Sequence, residues 1–177
     1  MICREDRPNG AKAAEWDRLV REHGTMVFRT AWRIVGNAAD AEDIAQEVFL
    51  EAHRLRARQV RNWGGLLRRL STCRALDRLR AKKNVLSLDA SFAAGNGSDP
   101  AEAAIERELA ERLRLAITQL PRREAEVFCM KFFETLTNEQ IAAALQIAPG
   151  AVGVALHKAR TKLEALLGED EHQESTR

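Results

Sequence analysis

Apolar residues return at helical spacing along most of this chain, and no stretch alternates as a half-buried strand would. From Ala11 to Val35 the positions Trp16, Val20, His23, Val27, Ala31 and Ile34 fall on one side of a helix. Gly36-Asn37 ends it. A second helix is expected from about Ala38, with Asp40 and Asp43 in its first turns, where carboxylates suit the helix dipole. Its inner stripe reads Ile44, Val48, Ala52 and Leu55. A third runs from about Trp63 to Lys83, with Trp63, Leu66, Leu70 and Cys73 on one face. Aromatics make up only 5% and Tyr is absent, while Ala, Leu, Arg and Glu abound, which favours helices over sheets.

The texture breaks at "LSLDASFAAGNGSDPAEAA", residues 86–104, which has no sustained period and reads as a linker. Beyond it, Ile105, Leu109, Leu113 and Ile117 form another stripe, and Pro121 suits the first turn of the next helix. Thr137 with Gln140 three residues on is a capping-box pattern, and a longer helix is expected from about Pro149 to Leu167, followed by an acidic tail. The expected fold is all-α: two small helical domains, 11–84 and 105–168, joined by a flexible linker over 85–104. At 177 residues, 45% hydrophobic and 31% charged, the chain can bury a core for each.

Residues 141–156 carry the sharpest local pattern. Ile141-Ala142, Leu145, Ile147, Val152 and Leu156, with a tight turn at 146–148, have the spacing of a helix-turn-helix, so the C-terminal domain is expected to bind DNA. The net charge is only +2, so affinity for nucleic acid requires segregated charge. The third helix supplies it with Arg68, Arg69, Arg74, Arg78, Arg80, Lys82 and Lys83 against one acid, beside a loop holding Arg54, Arg56, Arg58 and Arg61. That acid, Asp77, follows Leu66, Leu70 and Cys73 on one face and is expected to need an arginine partner. The second helix is opposite in sign, with Asp40, Glu42, Asp43, Glu47 and Glu51 expected outside. Two neighbouring helices of opposite charge imply two partners.

Catalysis and metal binding find little support. The four His lie far apart, the three Cys are unpaired in sequence, and no Gly-rich phosphate loop follows a strand. No cofactor or metal is expected. No signal peptide is legible and no apolar run approaches the roughly 18 residues of a membrane span. A cytoplasmic, non-enzymatic, membrane-free DNA-binding protein is the expectation.

"GNAADAEDIAQEVFLEAHR", the basic helix ending "RALDRLRAKK", and "LPRREAEVFCMKFFETLTNEQIAAALQIAPGAVGVALHKARTKLEALL" together resemble the bacterial sigma factors of the extracytoplasmic-function class, from about Ala13 to Leu167. The resemblance implies that the chain binds core RNA polymerase, directs it to promoters and assists strand opening. It implies core-polymerase docking through Asp40, Glu42, Asp43, Gln46 and Glu47. It implies contact with the melted −10 element through Arg58, Arg61, Asn62, Trp63, Arg68 and Arg69. For the −35 element it implies Gly150, Gly153, Val154, His157, Lys158 and Arg160, with Arg122 and Arg123 near the preceding helix's start. Promoter DNA and core polymerase are the implied partners, and an anti-sigma factor is implied by the family alone. The competing reading is a stand-alone helix-turn-helix regulator, which would not need the acidic docking helix.

Departures from the family pattern fall on the DNA side. Its Phe-Arg-x-Trp-Leu appears as Trp63-Gly64-Gly65-Leu66-Leu67, its Asn as Cys73, and the turn Gly as Gln146. Its Lys and Arg on the reading helix are Gly153 and Ala155. The reading helix is therefore expected to enter the upstream element but discriminate weakly, since neither residue can pair with a base edge.

Overall fold

The computed structural model describes residues 8–55, 60–86 and 100–174, with side chains over 14–55, 60–83 and 104–168. Seven helices occupy them, with no strand among the described residues: α1 Pro8–Val35, α2 Ala38–Leu55, α3 Trp63–Leu86, α4 Pro100–Gln119, α5 Arg122–Phe132, α6 Asn138–Leu145 and α7 Pro149–Glu174. The expected linker falls largely on 87–99, outside the described residues.

Helices α1, α2 and α3 pack on one another around Val27, Ala31, Ile34, Ile44, Val48, Leu67 and Leu76. The first two inner stripes lie where their spacing puts them. The third does not: α3 buries Leu67, Ser71, Thr72, Ala75, Leu76 and Leu79, while Leu66, Leu70 and Cys73 are only half-buried. The face is turned by about one residue because α3 is wedged between α1 and α2 on one side and α4, α5 and α6 on the other. Ser71 fits inside by donating its hydroxyl to the Leu67 carbonyl at 2.7 Å. Asp77 accordingly points to solvent, and the buried carboxylate expected from the other register does not exist.

The two halves share one core. Ala116, Ile117, Leu120, Ala125, Phe128, Cys129, Ala159 and Leu163 from the C-terminal half join the cluster of the N-terminal half. Three arginines cross the seam and donate to carbonyls at helix ends, groups that have no partner within their own helix. Arg33 reaches the Phe133 carbonyl, Arg80 the Leu120 carbonyl at 3.1 Å, and Arg114 the Ile34 carbonyl at 3.2 Å. Gly36 sits where the backbone favours glycine, and it leaves room for the Arg114 guanidinium. It takes φ +80°, and a Cβ there would lie 2.5 Å from the Arg114 guanidinium carbon.

Helix α5 explains how a second, smaller core forms. Seven consecutive residues, Glu124 to Met130, are buried, so both of its faces are covered. Phe128 and Cys129 face the shared core. Val127 and Met130 face a separate cluster with Leu136, Ile141, Ala142, Leu145, Val152, Ala155 and Leu156. On α4 the expected stripe holds only at its C-terminal end. Ile105 and Leu109 are exposed, because the N-terminal turns of the helix extend past the core.

Candidate functional site

The helix-turn-helix is built as its spacing requires. Thr137 caps α6: its hydroxyl accepts from the Gln140 N–H at 3.3 Å, and the Gln140 side chain accepts from the Thr137 N–H at 2.9 Å. Helices α6 and α7 meet at 103°. The turn between them depends on Gln146 at φ 55°, ψ 48°, a left-handed conformation that closes α6 with the Ile147 N–H donating to the Ala142 carbonyl at 3.0 Å. Thr135, between α5 and α6, is left-handed as well, at φ 53°. Pro121 is the residue capping α5 rather than its first turn.

Helix α7 then presents Gly150, Gly153, Val154, His157, Lys158 and Arg160 to solvent while Val152, Leu156, Ala159 and Leu163 face inward. Val154 is 57% exposed, and a Cβ added at Gly150 or Gly153 would meet nothing within 4 Å. Those glycines are therefore not demanded by packing. Ala155 corrects the sequence reading: it is buried against the small core and is not a DNA-facing position. Arg160 lies over the Phe132 ring, 5.2 Å from its centre. Arg122 and Arg123 are engaged by a carboxylate of their own helix. They bind the buried Glu126 at 3.1 and 3.3 Å beside the α3 seam, where the Cys73 thiol also approaches Glu126 at 3.3 Å. Burial, reinforced by the Glu126 charge, pushes the Cys73 thiol up to about 11.

The start of α3 gathers part of the −10 set. Asn62 is exposed and its side-chain oxygen accepts from the Gly65 N–H at 2.8 Å, capping the helix. A Cβ at Gly65 would come within 2.9 Å of the Asn62 amide, so a glycine leaves room for this cap. Trp63 is half-buried, edge-on to Trp16 at 6.4 Å, and Trp16 also meets Phe49 and His53. Arg61 is exposed; Arg68 and Arg69 are half-buried, and the Arg68 Nε is buried with no hydrogen-bond partner. Arg58 lies outside the described residues.

The remaining cations of α3 do not form a free basic stripe. Arg74 pairs with Glu51 at 2.6 Å. Arg78 forks to Asp40 at 3.0 Å and Glu47 at 3.0 Å, with Asp43 at 3.6 Å, and Lys82 binds Asp40. Asp40 is thus an internal residue. Its side chain is 13% exposed, and it also accepts from the Asn37 amide at 2.6 Å while its own N–H donates to the Asn37 oxygen at 2.9 Å. Burial alone would raise its pKa, but hydrogen bonds from Lys82, Asn37 and Arg78 and the Lys82 charge hold it below the ordinary 3.8. The outward acidic surface of α2 is Glu42, Asp43, Gln46 and Glu47, all exposed.

An acidic helix laced to a basic one, followed by a helix-turn-helix on the same chain, is the architecture of a DNA-binding protein with a second, acidic surface. The comparisons place it more closely. Residues 19–85 match the Sigma-70 region 2 model and residues 110–163 the Sigma-70 region 4 model. The chain is 32% identical over 173 residues to the extracytoplasmic-function (ECF) RNA polymerase sigma factor SigL of Mycobacterium tuberculosis, covering 92% of this chain and 96% of that protein. It is 32% identical over 164 residues to SigE of Mycolicibacterium smegmatis, covering 89% of this chain but 63% of that longer protein. SigW of Bacillus subtilis is 29% identical over 162 residues, covering 84% and 87%. Among solved structures, CnrH in complex with the cytosolic domain of CnrY has the same fold, with TM-score 0.57 and 22% identity over 93% of this chain and 98% of that one. RpoE of Bartonella quintana in complex with the anti-sigma factor NepR gives TM-score 0.53 and 17% identity over 87% and 97%. The chain belongs to the extracytoplasmic-function family of RNA polymerase sigma factors.

Proposed function

We propose that this chain binds core RNA polymerase, directs it to a set of promoters and helps open the duplex, with no chemical step of its own. The observation that carries this reading is the coexistence in one chain of two open surfaces of different character. One is the acidic outer face of α2, with Glu42, Asp43, Gln46 and Glu47; the other is the small-residue and basic face of α7, with Gly150, Gly153, Val154, His157 and Lys158. A stand-alone regulator would use only the second. Asp40 supports the docking face from behind rather than touching the partner.

In this reading residues 11–84 dock on polymerase and hold the melted −10 strand, and residues 105–168 sit on the −35 element. At the start of α3, Arg61, Arg68 and Arg69 supply phosphate contacts and Trp63 edges the aromatic cluster where an unstacked base would lie. On α7, His157, Lys158 and Arg160 hold phosphates, and such contacts position without specifying sequence. Arg122 and Arg123 join them only by leaving Glu126. The location is the cytoplasm, where polymerase is; no single helix among the described residues is long and apolar enough to cross a membrane. An anti-sigma factor is the expected negative partner, since RpoE of Bartonella quintana, which shares the fold, is bound to one.

Reversing charge with Asp43→Lys and Glu47→Lys together tests the docking assignment. Both side chains are largely exposed, at 64% and 49%, so the fold should survive. Binding to core polymerase should fall by several kcal/mol, about the cost of opposed like charges at an interface. Unchanged core affinity would remove α2 from the interface.

A further inference from the structure

The docking carboxylates are not independent side chains, and one arginine from a different helix decides how they stand. Arg78 on α3 reaches across to three successive turns of α2. Its Nη1 lies 3.0 Å from Asp40 Oδ1 and 3.6 Å from Asp43 Oδ2, while its Nη2 lies 3.0 Å from Glu47 Oε1. The guanidinium is itself held: it is half-buried, and Asp40 is fixed by Lys82 and by the Asn37 cap at the start of α2. The stack therefore runs from the inside outward, from Asn37 and Lys82 to Asp40, then Arg78, then the two largely exposed carboxylates.

We infer that Arg78 is a positioning residue for polymerase docking, holding the Asp43 and Glu47 carboxylates in one fixed array for a cationic partner surface. This rests on the docking role of α2 proposed above. Two mobile acidic side chains would have to be ordered when the partner binds, and that ordering opposes association. A planar fork bonded to the half-buried Asp40 carboxylate orders them beforehand. Lysine could not do the same, because a single ammonium on a flexible stem has no fork to span Asp40 and Glu47 together. The same arrangement assigns Arg78 away from DNA, because its donors are taken up by α2.

The test is a binding cycle on the full chain with purified core polymerase, using Arg78→Lys in the natural background and in the Asp43→Ala, Glu47→Ala background. Arg78→Lys keeps the charge and removes the fork. Its expected effect is a roughly three- to tenfold loss of core affinity in the natural background and none in the double-alanine background. Any loss of fold stability should persist in both backgrounds, because the contact with Asp40 is present in both. Loss of core affinity by the same factor in the two backgrounds, or no loss in either, would overturn the positioning role while leaving the docking face intact. If the double-alanine chain itself binds core polymerase as tightly as the natural one, the docking reading fails and the inference fails with it.

Discussion

Helices α3 and α7 both carry cations but place them in opposite ways. In α3, Arg74, Arg78 and Lys82 are bound to α2 and Arg80 reaches across the seam to the Leu120 carbonyl, which leaves Arg68 and Arg69 in the first turns and the exposed Lys83 near the far end for another partner. In α7 the first turns are bare: glycines with open space beyond them, then His157 and Lys158 on the surface. A basic helix in a sequence can thus be a strut or a reading surface, and charge counting does not separate the two. What separates them is whether a neighbouring helix offers carboxylates at matching steps, as Asp40, Glu47 and Glu51 do for Lys82, Arg78 and Arg74.

The largest expected contrast is in stability. Leu76→Ala, in the middle of the strut, should cost about 2–5 kcal/mol, as deletion of a buried leucine usually does. Val154→Ala on the open face should change stability by no more than about 0.5 kcal/mol. Urea unfolding followed by tryptophan fluorescence measures both, and comparable losses would break the distinction.

Asp40→Asn sharpens it. Removing the inner charge that Arg78 and Lys82 share should cost roughly 1–3 kcal/mol near neutral pH. Because the folded pKa of Asp40 is lowered, its contribution is present above the unfolded-state value of 3.8 and is lost as the pH falls through the folded value below it. The natural chain should therefore lose stability more steeply than the variant over that acid window. Parallel acid profiles would mean that Asp40 is not charged and paired in the fold.

The smallest effects run the other way. Gln146→Gly should stabilise the chain by about 1 kcal/mol, because glycine adopts the left-handed conformation without strain. Gly153→Ala should stabilise it by roughly 0.5–1 kcal/mol, since the added methyl meets nothing and the helix gains propensity. Thermal unfolding reads both. A destabilising Gly153→Ala would mean that the face is packed rather than open.

The helix order, the capping box at Thr137 and the helix-turn-helix were legible because each depends on residues close in sequence. The left-handed turn at Gln146 could be located from its place between α6 and α7. The register of α3 was not legible, because a helix packed on two sides has no single apolar stripe, and Leu67 and Leu76 look no different from Leu66 and Leu70. For the same reason Asp77 seemed to need a partner, whereas Asp40 seemed to be surface because the side chains that cover it, Arg78 and Lys82, come from another helix. Ala155 was misplaced by one helical step: on a run of Gly, Ala and Val the sequence gives little contrast between faces. The seam arginines Arg33, Arg80 and Arg114 bind main-chain carbonyls, and an acceptor that every residue carries leaves no mark in a sequence.

Transcription with purified core polymerase on genomic fragments tests the account most directly. Transcripts should start at a defined set of positions only when this chain is present, and should disappear with the Asp43→Lys, Glu47→Lys chain. Specific binding to duplex DNA by the chain alone, with no new start sites when polymerase is added, would contradict it.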